Sequence, residues 1–118
     1  MSAAGTIPAA EALRLADLIT PTERGIASRV LAKTGGGNVT LFAFDAGEGL
    51  SEHTTPFDAL AIVLDGSLRL TIGGERVDAA PGTIVRMPAN VPHAVDATAA
   101  SRMLLIMLRE PKVASSMR

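Results

Sequence analysis

A chain of 118 residues, 47% apolar and 19% charged, is the size of one domain with one core. Its longest wholly apolar run, Met103 to Leu108, falls far short of the ~20 residues of a membrane-spanning helix. Eleven basic residues against twelve acidic ones, scattered along the chain, lack the clustered charge by which a protein holds nucleic acid.

Two absences narrow the field further. Without Cys there are no disulfides and no thiolate metal sites, and with no Trp, no Tyr and three Phe there is little to stack a base, a flavin or a nicotinamide. The N-terminus MSAAGTIPAAEALRL has no basic segment leading into an apolar one, so a cytoplasmic location is expected, with no membrane and no nucleic-acid partner.

In chain order, Ala12, Leu15, Ala16 and Ile19 follow a helical spacing between Pro8 and Pro21, which predicts a short helix in an arm over residues 1–25. Ile26 to Lys33 and Val39 to Ala46 read as strands joined by a Gly-rich hairpin. No Lys-Ser or Lys-Thr helix follows those glycines, so the loop is no phosphate cradle. Leu60 to Leu64 and Leu68 to Ile72 flank Asp65-Gly66, a pair suited to a tight hairpin turn, and Gly73-Gly74 offers another before Glu75 to Ala79. Ala80-Pro81-Gly82 marks a turn. Strands Thr83 to Met87, His93 to Ala97 and Arg102 to Arg109 complete a barrel over 26–110, and 111–118 reads as a loop-like tail. Short strands with hairpin punctuation predict an all-β antiparallel sandwich or barrel carrying one short helix.

Leu68, Leu70 and Ile72 alternate with polar residues, as in a sheet with one wet face. Leu60 to Leu64 and Met103 to Leu108 are apolar on both faces. One face fills the barrel; the N-terminal helix can cover part of the other, and the rest predicts a homodimer through a sheet-to-sheet contact unless helix and C-terminal tail together hide it.

The only two histidines lie in two turn-rich windows, GEGLSEHTTPFDALAIVLDG from Gly47 and GTIVRMPANVPHAVDA from Gly82. Gly47, His53 and Gly66 in the first, with Gly82, Pro88 and His93 in the second, keep the spacing of the paired signatures of the cupin family, which the chain resembles. The resemblance implies a double-stranded β-helix, or jelly roll, with a site inside the barrel. A family site brings three imidazoles and a carboxylate to one divalent metal such as Mn, Fe, Ni or Zn. Here Thr55 stands where the second histidine would be and Ala59 where the glutamate would be, while Asn90 and Ala97 replace a glycine and an asparagine. Asn90 is benign, because Asn tolerates the left-handed backbone. Thr55 and Ala59 remove half of the donors.

Two readings follow. His53 and His93 hold a metal with help from Glu48, Glu52 or Asp58, in a stretch from Thr34 to Leu68 without Lys or Arg, whose acids can equally be solvated turn residues. Otherwise the emptied positions enlarge a pocket for a small organic molecule, built on His53, Thr55, Ala59, His93, Phe44, Met87 and Met103, with Phe42, Ala61, Val63 and Val95 as further wall candidates. Nucleophilic catalysis has no support, since no serine sits in a Gly-x-Ser-x-Gly elbow. The tyrosine acid used by metal-free epimerases of the family has no counterpart here, and no catalytic residue is assigned.

Overall fold

The computed structural model describes residues 6–20 and 23–109; the expected tail beyond 110 lies outside them. Nine strands follow one another: β1 (Ile26–Thr34), β2 (Gly37–Phe44), β3 (Gly49–His53), β4 (Asp58–Asp65), β5 (Leu68–Ile72), β6 (Glu75–Ala79), β7 (Ile84–Met87), β8 (His93–Ala97) and β9 (Ser101–Leu108). They form a five-stranded sheet in the order β1-β2-β9-β4-β7 and a four-stranded sheet in the order β3-β8-β5-β6. Every pairing is antiparallel. Because consecutive strands keep switching sheets, the chain winds as a jelly roll around one apolar interior.

Alternation along the strands decides which side chains enter that interior. Ala59, Ala61 and Val63 of β4, Leu68 and Leu70 of β5, Val95 and Ala97 of β8, and Met103 of β9 are at most 3% exposed and pack with Phe44 into one core. On the outside of the four-stranded sheet Arg69 pairs with Asp78 at 2.8 Å, as expected for its wet face.

The outer face of the five-stranded sheet is apolar in its own right. A second cluster forms there, with Leu41, Leu31 and Ala43 covered by Ile7, Leu18 and Ile19 of the N-terminal arm. Polar ties hold the arm down: the Ile7 amide donates to the Leu31 carbonyl at 2.9 Å, and Arg102 Nε donates to the Ile19 carbonyl at 3.3 Å.

The predicted helix from Pro8 to Ile19 is reduced to a single 3-10 turn, Leu15–Asp17. Ala10 at φ 61° and Arg14 in an extended conformation interrupt any helical run. The reason is tertiary. Of the four residues at helical spacing only Ile19 is buried, and the arm spends its apolar side chains on the sheet one at a time.

Asp65-Gly66 is also not the hairpin turn expected. β4 pairs with β7 and β9, whereas β5 pairs with β6 and β8, so this dipeptide carries the chain from one sheet to the other. Gly66, at φ 85°, sits so tightly against Ser101 and the Ala100 carbonyl that a Cβ would collide with both. Ser101 Oγ accepts the Ser67 amide at 2.8 Å and fixes the corner. The true two-residue hairpin with both residues at positive φ is Gly73-Gly74, between the paired Ile72 and Glu75.

Candidate functional site in the barrel

Strand β3 supplies the first histidine, and its register explains how. Leu50 pairs with Val95 and His53 with His93, so two residues of β3 oppose one of β8 between those pairs. Strict alternation from the pocket-lining Leu50 would turn Glu52 inward and His53 out. The bulge reverses this. Glu52 is left exposed in solvent, and His53 faces His93 across the sheet.

The second histidine is placed by a loop. Asp58 Oδ1 accepts the Ala89 amide at 2.8 Å while its Oδ2 holds Arg86 at 3.0 Å. Asn90, at φ 64°, donates its amide to the Thr55 carbonyl at 2.7 Å. These bonds tie the approach to β8 against the approach to β4, and His93 enters the barrel 3% exposed. The same partners, Ala89 first and Arg86 second, hold the Asp58 carboxyl below its ordinary range.

The two Nε2 atoms lie 3.2 Å apart, with ring centroids at 4.4 Å and the planes at 70°. Nδ1 of His53 lies 3.0 Å from the Ser51 carbonyl and Nδ1 of His93 lies 3.2 Å from the Val91 carbonyl. A carbonyl only accepts, so a ring bonded in this way donates from Nδ1, while a bond between the two Nε2 atoms needs a hydrogen on one of them. The two Nε2 atoms meet at one place, within hydrogen-bonding distance of each other. Burial is the main cause that pushes the pKa of His93 down, and the nearby His53 ring lowers it further, against the Val91 carbonyl, which raises it.

A partly open cavity of about 240 Å³ extends inward from this pair. Of the residues predicted to line it, His53, Thr55, Ala59, His93, Met87 and Met103 do so, as do the wall candidates Phe42 and Val95. Phe44 does not, and neither do Ala61 and Val63. Phe44 pairs with Ser101, one inward position beyond Phe42 and Met103, and its ring stacks behind that of Phe42 at 5.9 Å. It is a core residue, fully buried. Leu50, Leu105 and Met107 are additions. The period-two series Met103, Leu105, Met107 signals the last two, whereas Leu50 depends on β3, a strand without a period-two apolar pattern.

The acids of the stretch from Thr34 to Leu68 do not complete a metal site. Asp45 accepts the Arg24 amide at 2.7 Å, Asp58 is engaged as described, and Asp65 pairs with Arg102 at 2.9 Å. Among the described residues no three His, Cys, Asp or Glu side chains converge. Nitrogens 3.2 Å apart suit two adjacent positions on one ion at bonds of ~2.1 Å. The walls add only Thr55, Ala59 and apolar side chains, so this donor set does not fit a divalent ion held by the protein alone.

Comparison with known proteins places this barrel. The sequence model described as the cupin domain matches residues 40–108, and the chain belongs to that family. A conserved protein of unknown function from Streptococcus pyogenes is 32% identical at a TM-score of 0.84, with 93% of this chain and 96% of that one aligned. A cupin superfamily protein from Desulfitobacterium hafniense is 30% identical at 0.83, covering 90% and 97%. A cupin 2 conserved barrel domain protein from Leptotrichia buccalis is 35% identical at 0.79, covering 82% of this chain and 47% of that one. No curated protein matches the sequence.

Proposed function

We propose that this cupin binds a small organic molecule in the barrel cavity, with His53 and His93 as its polar contacts. The observation that carries this reading is the lining: eight apolar side chains enclose the space, and only two imidazoles and the Thr55 hydroxyl interrupt them. Apolar walls with a few convergent polar groups are the ordinary make-up of a ligand pocket. The test is a thermal-shift screen of chelator-treated protein against small alcohols, acids, sugars and aromatic compounds. A hit should raise the melting temperature of the wild type and leave a Met103→Trp variant, whose cavity is filled, unmoved. A screen without hits in the wild type would defeat the reading.

The alternative is a metal-dependent enzyme of the oxygenase or isomerase kind with His53 and His93 as ligands. The convergence of the two nitrogens favours it, and the missing third and fourth donors oppose it. Elemental analysis of protein purified without chelators separates the two: near-stoichiometric transition metal that disappears in His53→Ala and His93→Ala would reverse the ranking.

We also propose a cytoplasmic homodimer. Leu60, Ile62, Ile84 and Ile106 lie on the outer face of the five-stranded sheet, next to the part covered by the arm, and Ile84 is 58% exposed. A second copy presenting the same strip would bury it on both sides.

A further inference from the structure

Three methionines fall within the described residues, Met87, Met103 and Met107, and all three line the barrel cavity. Leucine could fill the same space with fewer rotamers. What a thioether adds is a polarizable sulfur, attracted to an aromatic ring about 5 Å away. Aromatic groups already share the lining with these sulfurs. Phe42 pairs with Met103 across β2 and β9, and the imidazoles of His53 and His93 border the same space.

The register decides where a further ring can go. Ala59 of β4 is paired with Met87 of β7 on one side and with Met107 of β9 on the other. Residues opposite one another on antiparallel strands hold their Cβ atoms about 4.5–5.5 Å apart, and the side chains stand off the same face. The floor in the middle is thus one methyl group, and a longer thioether rises on each side of it. A ring resting on Ala59 has a sulfur about 5 Å away to either hand, the separation at which the contact is favourable.

We propose that the ligand is a compound of one aromatic ring, seated over Ala59 between the thioethers of Met87 and Met107, with Phe42 and Met103 completing its walls. An apolar cavity of about 150 Å³ takes up benzene, so the 240 Å³ here suits one ring with a small substituent. Selection by the walls is the same wherever the hydrogen between the two imidazoles resides and whatever charge the pair carries. A hydroxyl on the ligand can give a hydrogen bond to that pair or take one from it. The inference rests on the small-molecule reading above and narrows it to a class.

The test compares an aromatic alcohol with its saturated counterpart. Water expels the saturated ring more strongly, because the π face of an aromatic ring is partly hydrated, so an indifferent apolar hole would favour the saturated compound. The full chain, treated with chelator, is titrated with benzyl alcohol and with cyclohexylmethanol and followed by amide NMR. Benzyl alcohol should bind the wild type about threefold or more tightly than cyclohexylmethanol. Met87→Leu combined with Met107→Leu conserves volume, so benzyl alcohol should weaken about fivefold or more while cyclohexylmethanol changes less than about twofold. Met107→Leu alone, at a half-buried position, should weaken benzyl alcohol about twofold and serves if the double variant does not give a folded amide spectrum. Equal or tighter binding of cyclohexylmethanol by the wild type, or an aromatic preference that survives the leucines, would overturn the class and leave the pocket standing. Binding of neither compound would overturn the class as well, and the wider screen above then decides the pocket itself.

Discussion

At the residue level, the site turns on what two positions no longer contribute. Thr55 and Ala59 line the cavity beside the histidine pair, and neither offers the imidazole or carboxylate that the cupin signature has at those places. The double variant Thr55→His with Ala59→Glu should therefore bind Zn(II) near one equivalent in a competition titration. The wild type should bind it at least tenfold more weakly, since each lost protein donor must be replaced by water. Similar affinity in both would show that these positions do not address the histidine pair. A second expectation concerns acid. His93 has its pKa pushed below the ordinary 6.5 in the folded state, so below that pH the unfolded chain takes up a proton that the fold refuses. Stability is full above 6.5 and should decline as the pH falls through the window beneath it. The paired carboxyls of Asp58 and Asp78 are held below 3.8 and play no part there. Melting temperatures between pH 8 and pH 5 should fall for the wild type and fall less for His93→Gln; parallel curves would assign the loss elsewhere.

At the level of elements, corners and bulges matter more than the strands they join. β3 went unrecognised in the sequence because Gly49-Leu50-Ser51-Glu52-His53 has one apolar residue and no period-two pattern, and the bulge removes what pattern it would have had. The Asp65-Gly66 corner looked like a hairpin because the local signal for positive φ is the same whether the chain turns back or crosses between sheets. Its steric demand is stricter than that of a free turn. Gly66→Ala should cost about 2 kcal/mol or more in denaturant unfolding, since it combines a strained φ with a collision against Ser101. A control at Gly82, also at positive φ but with nothing within 4 Å of an added Cβ, should lose only the conformational part, nearer 1 kcal/mol. Equal losses at the two sites would remove the corner argument. Asp58 acts between elements, through the Ala89 amide; Asp58→Ala should speed hydrogen exchange at Ala89 by NMR, whereas an unchanged rate would deny it that role.

At the level of the whole molecule, the barrel has a wet sheet and a dry one. The arm covers part of the dry face, and the strip of Leu60, Ile62, Ile84 and Ile106 beside it is the surface that the proposed dimer would bury. Ile62→Asp, on the centre of that strip, should shift the mass measured by light scattering from dimer to monomer at micromolar concentration, with the far-UV spectrum of the barrel retained. A wild type that is already a monomer would dismiss the second copy. The sequence by itself determined the architecture and the pair at its heart: strand alternation, the Gly73-Gly74 hairpin, and the spacing of Gly47, His53, Gly82, Pro88 and His93 are local or repeated signals that survive in one dimension. It also showed what the site lacks, since Thr55 and Ala59 can be read from their positions. Three-dimensional packing was needed to lay the arm flat instead of coiling it, to put Phe44 behind Phe42 and not on the cavity wall, and to leave Glu52 in solvent while His53 meets His93 at the cavity. Those outcomes depend on which surfaces compete for the same apolar side chains and on one extra residue in a strand, and neither is encoded in any short stretch of the chain.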